Sequence, residues 1–169
     1  MKITFNRKTF LRWLKLVAVA VPVKGYTSIL QGNVKVTVST GSIILQATDT
    51  TTSIRAVLDS NAWFSIDGYG QTIIPAKQII KILDKSRDQR FTLESNDKKV
   101  FLYNANENHE FDAVDPDVYP DIDIPDTSKY HRVNAADMSN MIKRTVFATG
   151  KDHVRYDLDG VCFYTDSGN

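Results

Sequence analysis

The sequence predicts an α+β fold in which two helices pack on antiparallel β-sheet. Two amphipathic helical stretches and a series of short alternating segments between them carry that reading. The first stretch is Asn6 to Val21, NRKTFLRWLKLVAVAV. At about 100° per residue, Phe10, Leu14, Val17 and Val21 share one side, flanked by Trp13 and Leu11. Lys8, Arg12 and Lys15 share the other side. Asn6 suits the cap position, accepting from a backbone N–H that has no helical partner, and Phe5 before it can staple the helix start. No carboxylate stands four residues away on the basic side, as an ordinary solvated helix arranges. One face is shaped for a core and the other carries unbroken positive charge.

The elements follow in a regular order. Lys2 to Phe5 alternates and reads as a strand leading into the first helix, which Pro22 ends. Val23-Lys24-Gly25-Tyr26 is a turn. Asn33 to Val38 alternates polar and apolar, Ser39-Thr40-Gly41-Ser42 turns, and Ile43 to Ala47 returns. Ser53 to Leu58 is a third strand, with shorter ones at Trp63 to Ile66 and Thr72 to Ile74. Pro75 suits the first position of a second helix, PAKQIIKILDKSRD. Its apolar side is Ile79, Ile80, Ile82 and Leu83; its other side carries Lys77, Lys81 and Lys85, with Asp84 the only local counter-charge. Phe91 to Glu94 and Val100 to Tyr103 form a hairpin around Asn96-Asp97, and His109 to Ala113 adds a strand. Asp115 to Thr127, with three prolines and five aspartates, reads as an extended acidic connector.

After the connector the opening pattern returns. Val133-Asn134-Ala135 mirrors Phe5-Asn6-Arg7 at an offset of 128 residues. Asn134 caps a helix whose apolar side is Met138, Met141, Ile142 and Thr145, with Asp137 in its first turn and Lys143 and Arg144 as its cations. Val161 to Gly168 lies over Val34 to Gly41 at an offset of 127. The order cap, helix, turn, alternating strand, glycine turn is the same, so an internal repeat is expected. Residues 1–127 are expected to form a complete domain, and residues 128–169 the opening helix and strand of a truncated second one.

Composition narrows the class. An apolar fraction of 42% and a charged fraction of 24% are those of an ordinary soluble globular protein. The longest apolar run, Leu14 to Val23, is interrupted by Lys15 and Pro22 and falls short of the ~18 residues of a membrane span. Met1-Lys2-Ile3 leads straight into patterned sequence, so no signal peptide is expected. The single Cys162 excludes a disulfide framework and any multi-cysteine metal site, which points to a cytoplasmic location. The net charge of +1 conceals an asymmetry: residues 1–90 hold 13 Lys/Arg against 5 Asp/Glu, while residues 91–130 hold 3 against 10. A polyanion-facing surface backed by a polyanion-repelling one fits that division.

Catalytic motifs are scarce: there is no HExxH, no GxSxG and no glycine-rich phosphate loop, and His109, His131 and His153 stand far apart. Asp115, Asp117, Asp121, Asp123 and Asp126 could hold a divalent metal, which would make the protein a metal-dependent phosphoesterase acting on nucleic acid. They lack the glycine and closing glutamate of a calcium loop, and their prolines favour a solvated linker. A β-rich interaction module with incidental charge is a third reading. The paired basic helices are the stronger signal. Lysines opposite an apolar face usually serve solvation, but two successive helices built so suggest a surface for DNA phosphates, salt-sensitive and without base reading.

RTVFATGKDHVRYDLDGVCF, Arg144 to Phe163, resembles the segment opening the second domain of the β sliding clamp of bacterial DNA polymerase III. MKITFNRKTFLRWL, SILQGNVKVTV, LQATDTT, IIPAKQIIKIL and DPDVYPDI match the same family in order along the chain. The resemblance implies a sliding-clamp (DNA clamp) fold and a head-to-tail homodimeric ring, with helices lining the hole and sheets forming the outer wall. Such a ring encircles duplex DNA as a processivity factor, tethers the replicative polymerase, is placed by a clamp loader, and is not an enzyme. No catalytic residue, metal, cofactor or membrane partner is implied. Lys24 stands where the family has a DNA-contacting arginine, and Lys77 where it often has arginine. Tyr156 stands on a DNA-touching loop position and Asp152 near another. Lys8, Arg12, Lys15, Lys81 and Lys85 complete the expected DNA face. Arg155 and Leu158 fall in one wall of the family's partner-peptide pocket, and Asp157 stands where an aromatic is common.

Overall fold

A computed structural model of the chain describes residues 1–22, 30, 32–59, 64–122, 126, 132–150 and 160–164. The chain divides into two compact units, Met1–Asp123 and Ile124–Asn169. The first contains nine strands and two α-helices among its described residues. In chain order these are β1 (Lys2–Asn6), α1 (Arg7–Val17), β2 (Asn33–Ser39), β3 (Ser42–Thr48), β4 (Ser53–Asp59), β5 (Phe64–Gly68), β6 (Gly70–Pro75), α2 (Ala76–Lys85), β7 (Arg90–Ser95), β8 (Lys99–Tyr103) and β9 (Asn108–Asp112). They form two antiparallel sheets, a five-stranded one in the order β5-β1-β7-β8-β9 and a four-stranded one in the order β4-β3-β2-β6.

Period-two alternation decides which face of each strand turns inward. Ile3 and Phe5 of β1, Phe91 and Leu93 of β7, and Val100 and Leu102 of β8 are buried from the first sheet. Val34, Val36 and Val38 of β2 and Ile43, Leu45 and Ala47 of β3 do the same from the second. Both sets join α1 and α2 in a single core cluster. Helix α1 packs over β3 and β4, and α2 over β2 and β6, so the helices lie beside each other and touch. Gly41, at φ +75°, supplies the left-handed turn residue between β2 and β3.

The start of α1 forms as the residues anticipate. Asn6 leaves β1 with extended backbone, and its side chain accepts from the Thr9 N–H at 3.2 Å. Phe5 and Phe10 stack with ring centroids 4.0 Å apart, which is the staple across the cap. The end of the helix differs from expectation. The α-helix stops at Val17 and a 3₁₀ turn, Ala18–Ala20, follows. Val21 is already extended (φ −85°, ψ 118°), because a residue before proline is disfavoured in the helical region. Pro75 is also displaced by one position: it ends β6 and caps α2 rather than opening its first turn. The ladder from β2 reaches Pro75, and the Ala76 N–H finds Gly32 O at 2.8 Å, so the strand runs directly into the helix.

The acidic connector is more structured than an extended path. Asp115 accepts from the Asp117 N–H at 3.0 Å and caps a 3₁₀ turn, Pro116–Val118. Beyond it Tyr119 is buried with Leu30 and Ile73 in a satellite core flanked by Val114. Burial pushes the Tyr119 phenol above its ordinary pKa.

In the second unit, α3 (Ala135–Thr145) follows its cap Asn134, whose side chain accepts from the Ala136 and Asp137 N–H groups. None of its residues is buried. The strand expected from Val161 is absent at Val161–Tyr164, which are irregular. Among the described residues no strand pairs with this segment, and an unpaired segment forms no ladder.

Candidate nucleic-acid interface

The packing of α1 settles which of its residues face outward. With Phe10, Leu11, Leu14 and Val17 buried, the geometry of 3.6 residues per turn leaves Lys8, Arg12 and Lys15 exposed. Burial of Ala76, Ile79 and Leu83 in α2 does the same for Lys77, Lys81 and Lys85. Since the two helices touch, six of the seven cations expected on one basic face stand on adjacent helices.

The positive charge of that face is interrupted. Lys15 Nζ lies 2.9 Å from both carboxylate oxygens of Asp84. The expectation of an unneutralised α1 rested on local spacing, and the counter-charge comes from the neighbouring helix instead. Both partners are about half exposed, so the pair contributes at most about 1 kcal/mol to stability. Among the described residues Lys8, Arg12, Lys77, Lys81 and Lys85 have no carboxylate partner. Five free cations beside one neutralised pair leave this face with a surplus of positive charge.

Arg7 fastens the two helices. Its guanidinium donates to Leu83 O at 2.6 Å, and its backbone N–H donates to Gln89 O at 2.8 Å. Its Nε is buried without a partner in the described structure. Arg7 thereby supplies one of the last carbonyls of α2, which a helix end otherwise leaves unmet. Sequence periodicity placed no role on Arg7, since the contact spans from the first turn of α1 to the last turn of α2.

Beyond α2 lies a polar clasp. Glu107 accepts from Ser86 Oγ at 2.5 Å and from Asn104 Nδ2 at 3.2 Å, and its other oxygen is 2.9 Å from His109 Nε2. These partners, His109 first and Ser86 next, hold the Glu107 carboxyl below the usual glutamate range. Asn106 donates to Asp88 across the same junction. The tip of the β8–β9 hairpin is thus bound to the segment that leaves α2. No triad results, because the carboxylate rather than the imidazole sits in the middle.

Other expected site residues fall elsewhere. Lys24, Asp152, Arg155, Tyr156, Asp157 and Leu158 lie outside the described residues. Asp115, Asp117 and Asp121 are exposed, and no described group of three His, Cys, Asp or Glu side chains is arranged to hold a metal. No described helix is long and apolar enough to cross a membrane.

No curated protein sequence matches the chain. In fold it is similar to the DNA polymerase III beta chain of Streptococcus pneumoniae, with a TM-score of 0.84 and 19% identity over 92% of this chain and 42% of that one. The DNA polymerase sliding clamp of Bacillus subtilis gives 0.81 and 20% over 92% and 42%. The pol III beta of Caulobacter crescentus gives 0.83 and 23% over 95% and 42%. The chain therefore spans less than half the length of these solved proteins. Residues 1–123 match the family of the DNA polymerase III beta subunit, N-terminal domain, and the chain belongs to that family.

Proposed function

We propose that this chain supplies part of a DNA sliding clamp, a processivity factor that encircles duplex DNA and tethers a replicative polymerase. The observation that carries the proposal is the pair of adjacent helices exposing Lys8, Arg12, Lys77, Lys81 and Lys85, in a chain of this family. Such lysines neutralise phosphates without reading bases, which is what a sliding contact requires. Lys24, Tyr156 and Asp152 extend the DNA contact in this reading, and Arg155 and Leu158 belong to a partner-peptide pocket. Residues 1–127 form the N-terminal clamp domain, and residues 128–169 the opening of a second, as the recurrence of the Asn-capped helix in α3 supports. The ring is a head-to-tail homodimer, loaded by a clamp loader in the cytoplasm, and it catalyses no reaction. The phosphoesterase reading lacks a described metal-ligating cluster to support it, and the family match favours neither it nor the interaction module.

The test is titration of a fluorescent duplex at several salt concentrations. A ring holds DNA by enclosure, so open contact should be weak, near the ~10⁻⁴ M end of non-specific binding, and should fall steeply with salt. Joint Lys24→Glu and Lys77→Glu substitution should abolish it, and Asp-to-Asn changes across Asp115 to Asp126 should strengthen it. Tight, salt-insensitive or sequence-selective binding, or metal-dependent cleavage of the duplex, would overturn the proposal.

A further inference from the structure

A cavity of about 530 Å³ lies between the last turn of α2 and the β8–β9 hairpin. Lys81, Lys85 and Arg87 line it from the helix side, and Glu107 and His109 from the hairpin. Basic residues near a helix C-terminus ordinarily serve its unmet carbonyls. Here two of those carbonyls already have donors: Ser86 N–H serves Ile82 O at 3.0 Å, and Arg7 serves Leu83 O. The three cations are not needed at those two carbonyls, and none has a carboxylate partner among the described residues. The two carboxylates of the cavity are the ones already engaged. Glu107 accepts from Ser86, Asn104 and His109, and Asp88 from Asn106. Free donors thus face acceptors that are already satisfied.

We propose that this cavity is a phosphate seat, with Arg87 presenting its planar fork to two phosphate oxygens and Lys81 and Lys85 supplying point charges. A guanidinium suits a tetrahedral oxyanion because two parallel N–H bonds match its geometry. The two carboxylates and the negative end of the α2 dipole limit the affinity, so the seat is a weak one. Its occupant is a phosphate group, either a diester of the DNA backbone or free phosphate. The backbone source rests on the function proposed above, since Lys81 and Lys85 belong to that DNA face; the seat itself does not.

The experiment records backbone amide spectra of the whole chain during titration with inorganic phosphate, with chloride at matched ionic strength as control. Saturable shifts at residues 81–88 and 107–109 that chloride does not reproduce are expected. Arg87→Gln should weaken phosphate about tenfold, the loss of one charge-assisted contact, while Lys98→Gln, in the exposed β7–β8 turn, should leave it unchanged. Arg87 is exposed and unbonded among the described residues, so its replacement does not threaten the fold. A short duplex that displaces phosphate, and whose own binding falls in Arg87→Gln, establishes the backbone source. Phosphate binding that a duplex leaves untouched overturns that source and leaves a seat for free phosphate. A duplex that shifts α1 and α2 while neither ligand shifts Arg87 or residues 107–109 overturns the seat and leaves the proposed function standing. Equal shifts with chloride overturn the seat as well.

Discussion

Helices α1 and α3 begin alike and end in different physical situations. Each is 11 residues long, and each is capped by an asparagine whose side chain accepts from the first-turn N–H groups. At an offset of 128, Leu14 of α1 corresponds to Ile142 of α3, and Lys15 to Lys143. Leu14 is fully buried and Ile142 is 37% exposed, with Met141, Val146 and Phe147 more exposed still. The difference lies beneath the helices: α1 rests on β3 and β4, whereas no residue of α3 is buried. Local signals thus suffice to start a helix, but only a sheet under its apolar face turns that helix into a rigid support. For a surface meant to present cations at fixed positions, that support is what matters.

The largest contrast should appear on truncating the corresponding core residues. Leu14→Ala leaves a cavity in a closed core and should cost about 3 kcal/mol in chemical denaturation of the first unit. Ile142→Ala removes a half-exposed side chain and should cost less than about 0.5 kcal/mol. Amide exchange should divide the same way, with α1 protected close to the global limit and α3 exchanging through local opening. Equal costs, or uniform protection across both helices, would erase the contrast.

The caps provide a smaller contrast. Asn6→Ala removes the acceptor for Thr9 N–H and should destabilise the first unit by about 1 kcal/mol, since the helix it starts is part of the cooperative core. Asn134→Ala should lower the helicity of α3 without moving the denaturation midpoint of the first unit. A shift of that midpoint would show that the two units melt together.

How far these features were legible depends on the range of the interaction behind them. Val34, Val36 and Val38 announce an inward strand face because a β-strand alternates at every residue, and the packed strand buries all three, although Lys35 between them is covered as well. Asn6 and Phe5 announce a capped, stapled helix because their partners Thr9 and Phe10 lie within five residues. The Lys15–Asp84 pair joins residues 69 apart in sequence, so no helical-spacing rule could find it. The same holds for Arg7 on Leu83 and for Tyr119 entering the satellite core. Pro75 was misplaced by one position because proline suits both a strand end and a first helical turn, and the β2–β6 ladder decides between them. The basic character of the interface was therefore readable, while its counter-charge and its fastening were not.

The hairpin clasp adds a pH dependence to the first unit that α3 does not share. The Glu107 carboxyl is held below its ordinary range, so its hydrogen bonds stabilise the fold fully above the unfolded glutamate pKa of about 4.3. That contribution disappears as pH falls through the depressed folded value. Glu107→Gln should flatten the acid limb of a stability–pH profile and lower stability at neutral pH by about 1 kcal/mol, one hydrogen bond's worth. An unchanged acid limb would mean that the clasp contributes nothing to folding.

The smallest change in stability concerns Asp84, whose removal makes α1 electrostatically more like α3. Lys143, the counterpart of Lys15, has no carboxylate partner among the described residues. Because Lys15 and Asp84 are both about half exposed, Asp84→Asn should alter stability by no more than about 0.5 kcal/mol. Its effect on DNA should be larger in proportion. The substitution removes the carboxylate that stands between the two basic helices and releases Lys15 to meet a phosphate. Binding should strengthen, and the slope of log affinity against log salt should steepen by about 1, the signature of one added phosphate contact. Lys15→Gln in the same background should return the slope to its original value, since the released lysine is what carries the gain. If Asp84→Asn strengthens binding with no change in slope, only the general field of the surface has changed and Lys15 touches no phosphate. If it weakens binding, Asp84 positions the helices rather than masking charge, and the adjacency of α1 and α2 matters more to the interface than the number of free cations.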